Sequence, residues 1–166
     1  LCSIFAVRDI VGGECPNAEN VRIIRPGYGI KPKYIDDIKG LRFKEDVAFG
    51  TPIRFDLFEK GAVLFLSNNE NTNPLYEWLK EKEPYVCRIS EKLTIDMVKE
   101  LEPAFVVSFN YRHIIPAEIT DYLKGRIVNL HISHLPYNRG SAPNFFSFYE
   151  DSPKGVTIHV LDAGLD

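Results

Sequence analysis

The chain has 166 residues, 45% of them apolar and 26% charged, with a formal net charge of −3. That balance suits one globular domain or two small ones, and a near-neutral charge gives no electrostatic case for a nucleic-acid partner. The longest apolar runs, such as 62–66, are far too short to span a bilayer, so no membrane partner is expected either.

The start is only briefly apolar before Arg8 and Asp9, which does not resemble a secretory signal. Cys2, Cys15 and Cys87 are widely spaced and form no C-x-x-C pair, so a cytoplasmic location is expected. There is no initiating Met, and Asp166 directly follows a predicted strand and turn that would leave a sheet edge uncovered. The chain therefore reads as a piece of a longer protein.

The first 60 residues read as short strands and turns. Residues 3–7 and 21–24 are strand candidates, and Arg25-Pro26-Gly27-Tyr28-Gly29 is turn chemistry. An internal echo links Asp9-Ile10-Val11-Gly12-Gly13-Glu14 to Asp46-Val47-Ala48-Phe49-Gly50-Thr51, which suggests two hairpin-like units in a small β fold. Between them, residues 32–39 have room for one short helix.

The pattern changes at Glu59-Lys60-Gly61, which divides the chain into domains 1–60 and 61–166. Residues 62–66 form a continuous apolar run, as a strand buried on both faces would. Asn73-Pro74 can open a helix, with Asn as cap and Pro in the first position, and Leu75, Trp78 and Leu79 on one face. Residues 85–89 are a second strand. Thr94 can cap a helix that turns Ile95, Val98 and Leu101 to one side and ends at Pro103. Residues 105–108 are a third strand, and Pro116 opens a helix with Ile119 and Leu123. Residues 127–130 are a fourth strand, 144–149 a helix candidate and 156–161 a fifth strand. Alternating strands and helices imply an α/β fold with a parallel sheet.

Ligands of such sheets bind beyond the carboxyl ends of the strands. The polar segments there are Ser67-Asn68-Asn69, Asn110-Tyr111-Arg112-His113, Asn129-Leu130-His131 and 162–166. No G-x-G-x-x-G follows the first strand, which argues against a dinucleotide. His131 and His134 lack a third ligand of suitable spacing, so no metal is expected. Asn129 and His131 are separated by one residue and can project to the same side of a strand. Asp166 follows the next predicted strand, where it could reach His131. The trio suits acyl transfer to an amine: an amide N–H steadies the oxyanion, and an imidazole oriented by a carboxylate moves the proton. From the pattern alone, the same residues also read as an Asn satisfying loop backbone and a His packed under the sheet. His159, alternating within a strand, reads as structural, and Phe145, Phe146 and Phe148 as core. Tyr111 and Arg112 read equally as a solvated strand end or as part of a pocket wall.

Two resemblances extend this reading. Phe109-Asn110-Tyr111-Arg112-His113-Ile114-Ile115, the string from Asn129-Leu130-His131-Ile132-Ser133-His134-Leu135-Pro136 to Tyr137-Asn138-Arg139-Gly140-Ser141-Ala142-Pro143, and Gly155-Val156-Thr157-Ile158-His159 with Asp166 resemble the folate-dependent formyltransferases. The resemblance covers about residues 62–166 and is closest to the sugar-nucleotide N-formyltransferases. It implies a Rossmann-like sheet, truncated here, with Asn129, His131 and Asp166 as catalytic residues. It implies 10-formyltetrahydrofolate as co-substrate, held by His113, Ile114 and Ile115 and by the loop Asp162, Ala163, Gly164 and Leu165. Ser141 stands at a folate-contact position that is often Arg, and Arg139 is on a substrate-side loop. Residues 62–103 are shorter than in the family by about one strand–helix unit, and His134 replaces an aliphatic residue.

Asn20-Val21-Arg22-Ile23-Ile24-Arg25-Pro26-Gly27-Tyr28-Gly29-Ile30-Lys31-Pro32-Lys33-Tyr34, with Gly40, Asp46-Val47 and Gly50-Thr51-Pro52, resembles a second family. This is the antifreeze-like (SAF, β-clip) domain found at the C-terminus of sialic, pseudaminic and legionaminic acid synthases. That resemblance covers about residues 1–58 and implies a sugar contact for Arg25, in a fold that helps close a partner subunit's site, so that a homodimer is one assembly to expect. Together the two imply formyl transfer to an amino sugar or sugar nucleotide, in the making of a nonulosonic acid. The alternative is a C-terminal module of a phosphoenolpyruvate-condensing synthase, with the formyltransferase part inactive as it stands. Little activity is expected of these residues alone, because Asp166 is the last of them and terminal residues fray.

Overall fold

The computed structural model describes residues 1–137 and 149–162. Among these, seven strands and three α-helices follow in the order β1 (Ser3–Ala6), β2 (Val21–Ile24), β3 (Val63–Leu66), α1 (Asn73–Lys82), β4 (Val86–Ile89), α2 (Ile95–Leu101), β5 (Phe105–Phe109), α3 (Ala117–Leu123), β6 (Ile127–His131) and β7 (Thr157–Val160). The helix candidate at 144–149 and the phenylalanines assigned to the core lie outside the described residues, apart from Tyr149, which is exposed.

The N-terminal part is β-rich, as expected. β1 and β2 pair antiparallel, with Phe5 opposite Arg22. The two echoed segments do not form separate hairpins. They pair with one another: Ile10 and Val47 exchange both backbone hydrogen bonds at 2.8 Å. The aspartates repeat the exchange, since Asp9 accepts from the Phe49 N–H and Asp46 from the Gly12 N–H, each at 2.8 Å. Similar sequences thus satisfy each other's turns by a pseudo-twofold relation. The expected helix at 32–39 is instead two 3₁₀ turns, Pro32–Tyr34 and Asp37–Gly40. Eight residues hold too few i→i+4 bonds to carry an α-helix alone, and burial of Tyr34, Asp37 and Ile38 sets the local path.

The second part is a five-stranded sheet in the order β4-β3-β5-β6-β7. Four strands are parallel, as the alternation of strands and helices implies. The last is not: β7 runs antiparallel to β6, with Asn129 opposite His159 and His131 opposite Thr157. Strand direction is set by the connection, and periodicity carries no sign of it.

The helix starts differ in quality. Thr94 caps α2 as expected, its Oγ1 accepting from the Met97 N–H at 3.3 Å. Asn73 does not cap α1. It is the helix's first residue, and its Oδ1 accepts from Arg88. Nor does Trp78 face inward, being 52% exposed; Tyr76 packs with Leu75 and Leu79 instead, stacked on Phe65.

One cluster of buried residues runs through both parts, from Ile4, Ile38 and Phe58 to Leu64, Cys87, Leu101 and Ile127. The close approach is visible at Gly40, where a Cβ would lie 3.1 Å from the Cys87 Cα. No helix among the described residues is long and apolar enough to cross a membrane.

Candidate functional site

Three segments meet around one cavity of about 190 Å³. β5 contributes Ser108 and β6 contributes Asn129, which are register partners on neighbouring parallel strands. The segment after β5 supplies Tyr111, Arg112, His113, Ile114 and Ile115, and α3 supplies Thr120. Leu161 and Asp162, just past β7, complete the lining. Of the residues singled out in the sequence, the structure therefore gathers Asn129, His113, Ile114, Ile115 and Asp162. Ile114 is 80% exposed, an apolar side chain left uncovered at the mouth.

Asn129 is central in β6 rather than at its end, so one lining residue comes from within a strand and not from beyond its carboxyl end. His131 is the last residue of that strand and is buried. The two-residue spacing turns both side chains to one face. Arg25 is exposed directly after β2 and does not line this cavity. Asp166, Ser141, Arg139, Ala163, Gly164 and Leu165 lie outside the described residues. No group of His, Cys, Asp or Glu suited to a metal ion occurs among the described residues.

A sharp turn aims the wall of the cavity. Asn110 adopts a left-handed φ of 50°, a conformation that Asn tolerates better than most residues. The wall is then tied to the loop after β4. The Tyr111 hydroxyl donates to the Glu91 carbonyl at 2.6 Å and accepts from the Leu93 N–H at 2.9 Å. Burial pushes the Tyr111 phenol up to about 12. Asn68 bridges the same elements, donating to the Ser90 carbonyl at 2.6 Å and accepting from the Arg112 N–H at 3.0 Å. Tyr111 and Arg112 are thus wall residues and not simply a solvated strand end.

Sequence reading missed Ser108, Thr120 and Leu161 as lining residues. A serine inside Phe-Val-Val-Ser-Phe was the one available signal. His159, read as structural, places Nε2 3.5 Å from the Asn129 amide nitrogen across the antiparallel pair. Its partner could not be foreseen without the direction of β7.

Comparison with known proteins gives the arrangement its context. Residues 60–166 match the formyl transferase N-terminal domain. The chain belongs to the formyl transferase family. Residues 3–59 match the SAF domain, which here precedes the formyl transferase segment instead of holding the C-terminal place it has in the synthases. The formyltransferase PseJ from Anoxybacillus kamchatkensis, solved with UDP-4,6-dideoxy-4-formamido-L-AltNAc and tetrahydrofolate, is 42% identical with a TM-score of 0.57, covering 64% of this chain and 55% of PseJ. Methionyl-tRNA formyltransferase from Clostridium perfringens is 35% identical over 98 residues, 58% of this chain and 29% of the relative. The same enzyme from Francisella philomiragia is 38% identical over 118 residues, 70% of this chain and 34% of the relative. This formyl transferase chain therefore matches about a third of the length of these curated relatives.

Proposed function

We propose that the protein carrying these residues transfers a formyl group from 10-formyltetrahydrofolate to the amine of an amino sugar or amino sugar nucleotide. The observation that carries this reading is the convergence of Asn129, His113, Ile114, Ile115 and Asp162 on one cavity. The 42% identity to PseJ supports both donor and acceptor class, since that protein was solved with tetrahydrofolate and a formamido sugar nucleotide. Methionyl-tRNA relatives share the family, but the net charge of −3 does not favour an RNA acceptor.

In this reading the acceptor amine attacks the formyl carbon and a tetrahedral oxyanion forms. The Asn129 amide donates to that oxygen. His131 takes the proton released by the amine, and Asp166 orients the imidazole. Collapse breaks the bond to the folate nitrogen, which leaves with a proton as tetrahydrofolate, and the acceptor carries the formamide. The family resemblance assigns Ser141, Ala163, Gly164 and Leu165 to the donor and Arg139 to the acceptor. The cavity is smaller than the range of about 300–1,000 Å³ usual for whole ligands; it suits the ring end of the donor.

The SAF segment suggests a place in nonulosonic acid synthesis, with Arg25 as a sugar contact. Cys2, Cys15 and Cys87 are free thiols, which suits a reducing cytoplasm. The test is incubation of the full-length protein with 10-formyltetrahydrofolate and a panel of amino sugar nucleotides and nonulosonic precursors. Formamide product is expected from at least one sugar; turnover of none, with a related enzyme active alongside, removes the reading.

A further inference from the structure

The N-terminal segment reaches the cavity wall through one buried carboxylate. Asp37 is 3% exposed. Its Oδ1 accepts from the Ser90 N–H at 2.9 Å and the Ser90 hydroxyl at 2.8 Å, and its Oδ2 from the Glu91 N–H at 2.9 Å. Burial pushes the Asp37 carboxyl up, against the pull of these hydrogen bonds. The loop it grips is the one that holds the wall: the Glu91 carbonyl takes the Tyr111 hydroxyl, and the Ser90 carbonyl takes the Asn68 amide, which in turn holds the Arg112 N–H. Tyr34 adds a second tie from the same side, donating to the Lys92 carbonyl at 3.0 Å.

We propose that Asp37, in the SAF segment, is a positioning residue for the folate-binding wall formed by Tyr111, Arg112 and His113. This rests on the reading of the cavity as the donor site. Asp37 does not line the cavity. It fixes the backbone of Ser90 and Glu91, and through two further hydrogen-bonded links it fixes the path of the chain after β5. A misplacement of about 1 Å in a site costs on the order of a hundredfold, and charge-assisted bonds to a buried carboxylate are among the stronger ones available for preventing it. The SAF segment then serves the transfer reaction as part of the donor pocket's support.

The experiment measures tetrahydrofolate affinity, the KM for 10-formyltetrahydrofolate and the KM for the acceptor in the full-length protein. Asp37→Ala is expected to weaken donor binding about tenfold or more with the acceptor KM unmoved. Asp37→Asn, which keeps one accepting oxygen, is expected to recover part of the loss. Gly29→Ala loosens the same segment away from the loop and is expected to lower Tm while leaving donor affinity as in wild type. If Asp37→Ala does not fold, Tyr111→Phe removes the far end of the chain of bonds while keeping the ring, and the same donor-specific loss is expected. Unchanged donor affinity in a folded Asp37→Ala, or in Tyr111→Phe, overturns the positioning role alone. Failure of the wild-type protein to bind tetrahydrofolate overturns the cavity's assignment and, with it, this role.

Discussion

Asn129 and His131 illustrate what two residues of spacing can and cannot do. They share a face of β6 because strand side chains alternate, yet Asn129 borders the cavity while His131 is buried at the strand's end. In the proposed chemistry, Asn129→Ala lowers kcat about 10²- to 10³-fold by removing an oxyanion donor. His131→Ala lowers it about 10²- to 10⁴-fold by removing the proton acceptor. Steady-state formylation assays of both variants in the full-length protein check this; near-normal kcat in either would remove that residue from the mechanism. A second residue-scale prediction concerns Glu14. The Arg8 guanidinium, at 2.6 Å, and then the Val11 N–H hold its carboxyl down to about 2 in the folded chain, against an ordinary value of 4.5. A depressed folded value stabilises above the unfolded one, so the contribution is complete above about pH 4.5 and fades as pH falls toward 2. Urea melts of Glu14→Gln should therefore lie below wild type at neutral pH and converge with it across that window. The gap should also shrink in salt, because the pair is partly solvated.

At the scale of elements, local chemistry was legible wherever one residue decides the outcome. Thr94 before an apolar repeat announces a helix start, and its hydroxyl does cap α2. Thr94→Ala should cost about 1 kcal/mol in a denaturant melt. The apolar runs marked the four parallel strands to within a residue or so at each end. Where the deciding contact is distant, the reading failed. Asn73 is a plausible cap until Arg88 claims its side chain. Trp78 matches a helical stripe, but Tyr76 is the residue that stacks on Phe65 beneath the Arg88 guanidinium. The direction of β7, and hence the pairing of His159 with Asn129, depends on a connection whose residues carry no directional mark. The echo of 9–14 in 46–51 was visible, but that the copies bind one another was not, because a repeat does not say whether its units pair internally or reciprocally. Gly29 shows the same limit. Its turn chemistry was evident, yet its reason is spatial: a Cβ there would meet the Ile53 carbonyl oxygen at 2.6 Å and the Ile4 carbonyl oxygen at 2.9 Å. Backbone on both sides cannot step away, so Gly29→Ala should cost about 1–3 kcal/mol, read as a lower denaturation midpoint with unchanged slope.

Across the whole molecule, the composition change at Gly61 separates two stretches of sequence without separating their cores. Ile38, Leu41, Phe43 and Phe58 belong to the same buried cluster as Tyr85, Cys87, Leu93 and Leu101. The seam is also tied by polar groups. The Cys87 thiol, kept protonated because burial raises its pKa, lies 3.0 Å from the Asp37 carbonyl. The Tyr85 hydroxyl donates to the Glu59 carbonyl and accepts from the Arg42 N–H, while the Arg42 guanidinium covers the Tyr85 ring at 4.1 Å. Chain removed at residue 59 would bare the Cys87 side of the sheet and strip the partners from Ser90 and Glu91, whose N–H groups the Asp37 carboxylate satisfies. Each fully buried apolar side chain so exposed forfeits about 1.5–3 kcal/mol, and several at once are comparable with the 5–15 kcal/mol that holds a typical domain together. Calorimetry of the described chain should therefore show one transition with equal calorimetric and van't Hoff enthalpies. A version beginning at residue 60 should bind a hydrophobic dye and lose its cooperative melt. Two separate transitions, or a shortened chain that melts cooperatively, would mean that the shared core contributes little and that the SAF segment is an independent attachment.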